Sequence, residues 1–413
     1  MHSFKTLWTF LATIGFLAAC QPSLSGTTIS SPAPPTLAAT SLPASSTPAI
    51  PPQVSPQRPT DTQPPPETPN PSPTPTIPAA IIELAGAELP PGFSLIKFAG
   101  LYRPTAFTFD AQGRLYATSV DGNVYRLTDN DLDGRADEQI VFASGFFLPL
   151  GVTVHLPTGD IYLSHQGAIT RLRDTDGDGR ADETATIASG LPTGRHQNDN
   201  LKFGPDGWLY MGIGSTCDAC FEADPRSATI MRFNIETGAA EVFASGLRNP
   251  FDVAFHPLTG DLFATDNGRD DLGLDVPQEE LNHIVQDGNY GFPGCWDAGD
   301  QSGCQNFIPA VAFFEAHSSA NGLDFENGNR FPIEFRHNAF VSIYGSLFKD
   351  GVQTGVARVI LTETEETYTG LTEWFARFPA GAQPLPLLFG PDGALYVGDY
   401  SNDTIYRISY GIP

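Results

Sequence analysis

From about residue 90 the chain repeats one hydrophobic pattern. A short apolar run ends in a glycine turn, and a second run follows that carries Leu-Tyr or its equivalent. Ala106-Phe107-Thr108-Phe109 leads to Gly113-Arg114-Leu115-Tyr116, and Gly151-Val152-Thr153-Val154 to Gly159-Asp160-Ile161-Tyr162. Asn200-Leu201-Lys202-Phe203 leads to Gly207-Trp208-Leu209-Tyr210, and Asp252-Val253-Ala254-Phe255 to Gly260-Asp261-Leu262-Phe263. Gly322-Leu323-Asp324-Phe325 reaches Asn338-Ala339-Phe340-Val341 after a longer excursion, and Pro386-Leu387-Leu388-Phe389 leads to Gly393-Ala394-Leu395-Tyr396. A third strand follows, such as Val124-Tyr125-Arg126-Leu127 or Thr404-Ile405-Tyr406-Arg407. An outer strand then ends in Ala-Ser-Gly at 143–145, 188–190 and 244–246.

Six such units, spaced by roughly 45 to 75 residues, predict an all-β fold, a six-bladed β-propeller. The last unit runs out after three strands. Phe93-Ser94-Leu95-Ile96-Lys97-Phe98, ahead of the first unit, supplies the missing outer strand and closes the ring, leaving no open sheet edge. The long excursions 266–310 and 326–350 are expected to rise from one face and shape a pocket.

The N-terminus breaks this pattern. Lys5, an apolar stretch from Leu7 to Leu17, and Leu17-Ala18-Ala19-Cys20 look like a lipoprotein signal peptide with Cys20 as the lipidated residue. The apolar stretch is too short to span a bilayer comfortably. The following residues are almost all Pro, Ser, Thr, Ala and Gln, too polar to offset their ordering entropy. The expected organisation is a signal peptide at 1–20, a disordered linker at 21–85 and the propeller at 86–413, lipid-anchored outside the cytoplasm. A net charge of -25 argues against nucleic acid as a partner.

Four cysteines remain after Cys20. In an oxidising compartment the simplest scheme pairs Cys217 with Cys220 and Cys295 with Cys304. A zinc site lacks the usual second Cys-x-x-Cys pair, and a thioredoxin-like role lacks its βαβ setting. Two acidic loops occupy matching places in the first two units. Asp129, Asp131, Asp133 and Asp137 form one, and Asp174, Asp176, Asp178 and Asp182 the other. Alternating carboxylates ahead of a glycine resemble half of an EF-hand loop, without its twelfth-position Glu. A solvated acidic turn is the plainer reading; repetition in register favours structural Ca²⁺.

Candidate chemistry gathers where strands enter the ring. His196 sits among Arg195, Gln197, Asn198, Asp199 and Asn200, just before the third inner strand. In a propeller that position faces the central channel, where an imidazole can accept a proton near neutral pH. The simpler alternative is a hydrogen-bonded loop histidine. Arg248-Asn249 holds the same place in the next unit and suits a planar carboxylated ligand. Asp266 to Asp271 and Glu279 to Asn282 gather carboxylates and carbonyls, a setting for a hard cation.

With these segments in view, the chain from about 90 to 413 resembles the soluble quinoprotein glucose and aldose dehydrogenases, more closely their sorbosone-dehydrogenase-like group. The resemblance implies pyrroloquinoline quinone (PQQ) and Ca²⁺ as cofactors. His196, seven residues before Phe203, matches the catalytic histidine, which also touches the cofactor. Arg248 and Asn249 match its cofactor-contacting pair, and Lys349 of Ser346-Leu347-Phe348-Lys349 matches a lysine reaching it. Gly268 and Arg269 match the carbonyls that hold the PQQ-bound Ca²⁺. Glu280 and Tyr290 match a second calcium site. Two positions depart from the pattern: Gln383 stands where the family has an arginine, and Arg195 where an acidic residue often precedes the histidine. The implied activity is oxidation of an aldose or sugar-derived alcohol or aldehyde to lactone or acid, with electrons passed to a cytochrome or quinone. A Ca²⁺-dependent lactonase or esterase propeller and a non-catalytic binding propeller are the alternatives.

Overall fold

The computed structural model describes residues 80–328 and 330–411. The lipobox, Cys20 and nearly all of the linker lie outside the described residues.

Six sheets stand in sequence order around a common centre, each an antiparallel meander. Blade 1 runs through Pro104–Phe109, Leu115–Ser119, Val124–Thr128 and Glu138–Ala143; blade 2 through Gly151–His155, Asp160–His165, Ala168–Arg173 and Glu183–Ser189. Blade 3 comprises Asn198–Phe203, Leu209–Ile213, Thr229–Phe233 and Ala240–Ser245, with Gly288–Asn289 added parallel at its outer edge. Blade 4 holds Pro250–Phe255, Leu262–Asp266, Glu279–Ile284 and Ala312–Phe314, and blade 5 Ala320–Phe325, Ala339–Ile343, Thr354–Glu363 and Tyr368–Phe378.

Blade 6 is built from both ends of the domain. Pro384–Phe389, Leu395–Asp399 and Thr404–Tyr410 are completed by Phe93–Gly100, paired antiparallel from Phe93↔Tyr410 to Gly100↔Thr404. Phe93 is buried and meets Phe331, Phe335, Phe375 and Tyr410 edge-on, with ring centroids 4.7 to 5.3 Å away. The closing strand is therefore core as well as edge cover. The last residues of the segment expected to be linker also dock. Ile82 bridges Leu95, Leu84 enters the core, and Glu83 pairs with Arg135 at 2.6 Å.

The repeating Pro-Asp-Gly and Leu-Tyr positions brace the blades. Tyr210 donates to Asp206 at 2.8 Å, and Arg232 of the third strand donates to the same phenol oxygen at 3.2 Å. In blade 6, Arg407 donates to Asp392 at 2.8 Å beside Tyr396. Apolar side chains interleave between neighbouring blades, so the core is a ring of clusters rather than one mass.

One expectation needs correcting. The excursion 326–350 does not rise from one face. Consecutive strands are antiparallel, so 326–338, between the first and second strands of blade 5, leaves from the end opposite 344–353. Phe331 and Phe335 of the former are buried with Phe93, whereas Leu347 and Phe348 of the latter are exposed.

Candidate active site

The starts of all six inner strands converge on one cavity of about 550 Å³. Thr105, Leu150, His196, Asn249, Asn321 and Leu385 contribute one residue from each blade. The wall is completed where second strands end, by Val120, Asn267, Gly268, Tyr344 and Tyr400. Antiparallel order makes this unavoidable: the first strand begins, and the second ends, on the same face.

His196 is half-buried in the wall. Its Nδ1 lies 3.0 Å from Ser215 Oγ and 3.2 Å from Ser215 O. The Ser215 hydroxyl donates its single proton to Cys217 O at 2.7 Å, so both groups facing Nδ1 are acceptors. Nδ1 therefore carries the ring proton and Nε2 keeps its lone pair. Burial, with the charges of Arg248 and Arg195, pushes the imidazole pKa down to about 3. The ring is neutral at pH 7, the state a general base requires.

Arg248 is 4% exposed, and four of its five N–H donors are taken. Nη2 meets Asp218 Oδ1 at 2.6 Å and Asp270 Oδ2 at 2.8 Å; Nη1 donates to Asn267 O at 3.0 Å and Nε to Asp218 O at 3.1 Å. Arg195, more exposed, shares Asp270 at 2.5 Å and lies 3.7 Å from Asp218. Two arginines thus face two carboxylates along one wall. Asn249 lines the cavity with an Oδ1 that has no protein partner.

Beside this wall is a second cavity of about 20 Å³, room for one ion or water. Asp266, Gly268, Arg269, Glu280 and Tyr290 line it. Asp266 accepts the backbone N–H groups of Asn249 at 2.6 Å and Arg248 at 3.0 Å, yet burial still raises its pKa to about 7. Burial, then Asp266, raises half-buried Glu280 to about 8. Glu279, raised to about 8 by burial, accepts Gly268 N–H at 2.7 Å and Ser319 N–H at 3.2 Å. No arginine or lysine of the described residues forms an ion pair with any of the three. Arg248 and Arg269 also border this hole, and the charge of Arg248 lowers the pKa of Asp266 and Glu279 without forming an ion pair with either. Asp266 and Glu280 therefore leave carboxylate oxygens around a space of ionic size, the donor chemistry of a hard-cation site.

The other residues singled out from the sequence fall as follows. Gly268 borders both cavities. Lys349 is not among the lining residues; its ammonium pairs with Asp275 and Glu315, each at 3.1 Å. Gln383 is turned away, its N–H on Asp399 Oδ1 at 3.0 Å and its amide oxygen accepting from Ser401. On that side Arg103 stacks over Tyr400, 5.2 Å from the ring centroid. Both cysteine pairs are disulfides, with Cα separations of 5.9 and 5.8 Å. In the acidic loops, carboxylate oxygens of Asp129, Asp131 and Asp137 lie within 4.8 Å of one another, as do those of Asp174, Asp176 and Asp182. Asp133 and Asp178 are outside these groups and cap the backbone N–H groups of Arg135 and Arg180.

Sequence reasoning missed Ser215, Asp218 and His317. His317 is buried, lines the cavity, and bonds Gly273 O through Nε2 at 2.6 Å. Its place just ahead of the fifth inner strand, matching that of His196, was the available signal.

A family model, DUF7133, described as a domain of unknown function, matches residues 83–408. The chain belongs to the DUF7133 family. Among curated relatives, this DUF7133 propeller is 28% identical over 201 residues to an uncharacterised protein of Borreliella burgdorferi, covering 45% of the chain and 53% of the relative. It is 24% identical over 248 residues to the aldose sugar dehydrogenase YliI of Escherichia coli, covering 53% of the chain and 61% of the relative. The chain thus spans little more than half the length of these relatives. Solved structures match more of it. A calcium structure of a Trichoderma reesei carbohydrate-active enzyme of family AA12 superposes with a TM-score of 0.68 at 18% identity, over 80% of this chain and 98% of that one. The holo PQQ domain of Coprinopsis cinerea pyranose dehydrogenase gives 0.67 at 16%, over 81% and 99%. PQQ-bound aldose sugar dehydrogenase from Streptomyces coelicolor gives 0.58 at 18%, over 78% and 99%. At these identities the likeness establishes the six-bladed fold.

Proposed function

We propose that this DUF7133 propeller is a PQQ- and Ca²⁺-dependent dehydrogenase that oxidises an aldose or sugar-derived alcohol or aldehyde to lactone or acid. The observation that carries the reading is the bare Nε2 of His196, at a cavity to which all six blades contribute. The names of the structural neighbours and of the Escherichia coli relative support it.

The residues present fit such a group. Tyr344 and Tyr400, with ring centroids 6.0 Å apart, and the exposed Phe348 offer flat walls to a planar molecule. Arg195 and the Asn249 amide offer polar contacts, and the orphan Asn249 Oδ1 is an acceptor awaiting a partner. Bound PQQ would supply a two-electron oxidant, and Ca²⁺ a Lewis acid that polarises it. His196 Nε2 would take the proton of the substrate hydroxyl, assistance worth on the order of 10²- to 10⁴-fold. The Arg248–Asp218–Asp270 cluster would hold the wall rigid behind it, and the tyrosines and Phe348 would exclude water.

The small cavity suits the second cation, with Asp266 and Glu280 as ligands. The acidic loops suit Ca²⁺ with a structural role through Asp129, Asp131 and Asp137, and through Asp174, Asp176 and Asp182. On this reading the enzyme works outside the cytoplasm on a lipidated Cys20, passing electrons to a carrier such as a cytochrome or quinone.

A lactonase-type propeller would bury its metal in the channel with carboxylates from several blades. Asp199, Asp252 and Asp324 come from blades 3, 4 and 5. Asp252, however, accepts the Asn200 amide and the Val253 and Leu323 N–H groups, Asp324 accepts Phe389 N–H, and the three do not gather as one cluster of carboxylate oxygens among the described residues. Titrating apoprotein with PQQ in Ca²⁺, while following quinone absorbance and dye reduction with a panel of aldoses, tests the proposal. An absence of PQQ binding would overturn it.

A further inference from the structure

The turn that follows the second strand of blade 3 is the longest of the six, ahead of residues 267–278 in blade 4 and 344–353 in blade 5, and it alone among these described turns is closed on itself by a disulfide. Blades 1, 2 and 6 pass from second to third strand through residues 120–123, 166–167 and 400–403. Blade 3 uses residues 214–228 and closes the start of that stretch with the Cys217–Cys220 disulfide. A loop with no sheet to hold it needs another constraint, and a short covalent ring is one.

The contacts of this turn lead to the candidate base. Ser215 Oγ donates to Cys217 O at 2.7 Å and accepts from His196 Nδ1 at 3.0 Å. The Ser215 carbonyl, 3.2 Å from Nδ1, already accepts the backbone N–H of His196 at 3.0 Å, so the hydroxyl is the nearer and freer acceptor. Thr216 is fixed on both sides: its N–H and hydroxyl bind Glu222, at 2.8 and 2.5 Å, and its carbonyl accepts Arg195 N–H at 2.9 Å. Asp218, inside the disulfide ring, takes Arg248 Nη2 at 2.6 Å and Asp270 N–H at 3.1 Å.

We propose that the disulfide-closed turn Cys217–Cys220 is a positioning element, and Ser215 a positioning residue, that together set which nitrogen of His196 carries the proton. A hydroxyl has one proton. While Cys217 O receives it, Ser215 Oγ can only accept, and the imidazole proton stays on Nδ1. If the Cys217 carbonyl moves away, the hydroxyl is free to donate to Nδ1. The ring proton then shifts to Nε2, and the nitrogen facing the cavity becomes a donor that cannot act as a base. One hydrogen bond, held by a ring of four residues, thus separates a competent from an incompetent histidine. The consequence for turnover rests on the proposed role of His196; the tautomer itself does not.

The test is ¹⁵N-detected NMR of the imidazoles in apoprotein, with His196 assigned by its loss in His196→Ala. Wild type is expected to show the Nδ1–H form. Cys217→Ser/Cys220→Ser and, separately, Ser215→Ala are each expected to populate the Nε2–H form, while Cys295→Ser/Cys304→Ser leaves His196 unchanged. In loaded protein the first two variants should lose about ten-fold or more in kcat with little change in KM, part of the general-base contribution. Retention of Nδ1–H in both variants overturns the proposal. A shift in Ser215→Ala but not in the folded double serine variant removes the disulfide from it. If the double variant does not fold, Ser215→Ala decides. A wild type that shows the tautomer but takes up no PQQ would sink the dehydrogenase reading and leave this one standing.

Discussion

Arg248 Nη2 lies 2.6 Å from Asp218 Oδ1, on a side chain only 4% exposed, so the arginine is charge-compensated before any ligand arrives. Asp218→Asn keeps the shape and an acceptor oxygen but adds one net positive charge to the cavity wall. Affinity for a polycarboxylate such as PQQ should rise, by up to about ten-fold at low salt, and the gain should fade as salt is added. A purely structural Asp218 would give weaker binding instead; titration calorimetry separates the outcomes.

His196→Ala and Arg248→Ala should fail differently. The first removes a proton acceptor: PQQ uptake should persist while turnover falls by about two to four decades. The second leaves Asp218 and Asp270 adjacent and partly uncompensated, so a stability loss of about 3–5 kcal/mol should accompany weaker PQQ binding. Melting curves alongside PQQ titrations distinguish the two. Equal loss of PQQ uptake in both would contradict the assignment.

The low pKa of His196 has a measurable sign. With the folded value near 3, below the ordinary 6.5, the base stays unprotonated through mildly acidic pH. The acid limb of kcat/KM at saturating Ca²⁺ should therefore lie below about pH 5. The same shift makes the unfolded chain bind more protons between those values, so this group costs stability as pH falls through 6.5. An acid limb near pH 6.5 that disappears in His196→Ala would refute the burial argument.

Chelation should expose the crowding of Asp266 and Glu280. Their folded pKa values are raised to about 7 and 8, so without metal the folded state binds more protons than the unfolded state at neutral pH. Chelated protein should lose stability as pH rises from 5 to 9, and Ca²⁺ should restore it. Glu280→Gln should melt higher than wild type in chelator and gain less from Ca²⁺. A Ca²⁺ response of wild-type size in that variant would place the ion elsewhere.

The acidic loops belong to the outer parts of blades 1 and 2. Asp131→Ala combined with Asp176→Ala should lower the melting temperature in Ca²⁺ but leave turnover per folded molecule intact. Identical melting of variant and wild type, with and without chelator, would make these loops solvated turns.

Ring closure is also open to test. Phe93→Ala removes a buried ring contacting four aromatic residues and should cost about 3–5 kcal/mol. Urea unfolding measures it; a cost below about 1 kcal/mol would mean that the closing strand contributes edge cover alone.

The sequence by itself determined the six meanders, the borrowed outer strand at Phe93–Gly100, the local pairing of Cys217 with Cys220 and of Cys295 with Cys304, and the place of His196 ahead of an inner strand. Each depends on neighbours a few residues away or on a repeat that carries its own register. Only the tertiary structure decided that Arg248 is spent on Asp218 and Asp270, that His317 joins the cavity wall, that Asp266 and Glu280 share an ion-sized hole, and that Phe331 and Phe335 are buried at the end of blade 5 opposite the loop carrying Phe348. Asp266 and Glu280 face each other across neighbouring strands of blade 4, and the other relations join residues about twenty or more positions apart, most of them from different blades. Local alternation sets which face a side chain takes, but only closure of the ring sets which partner it meets there.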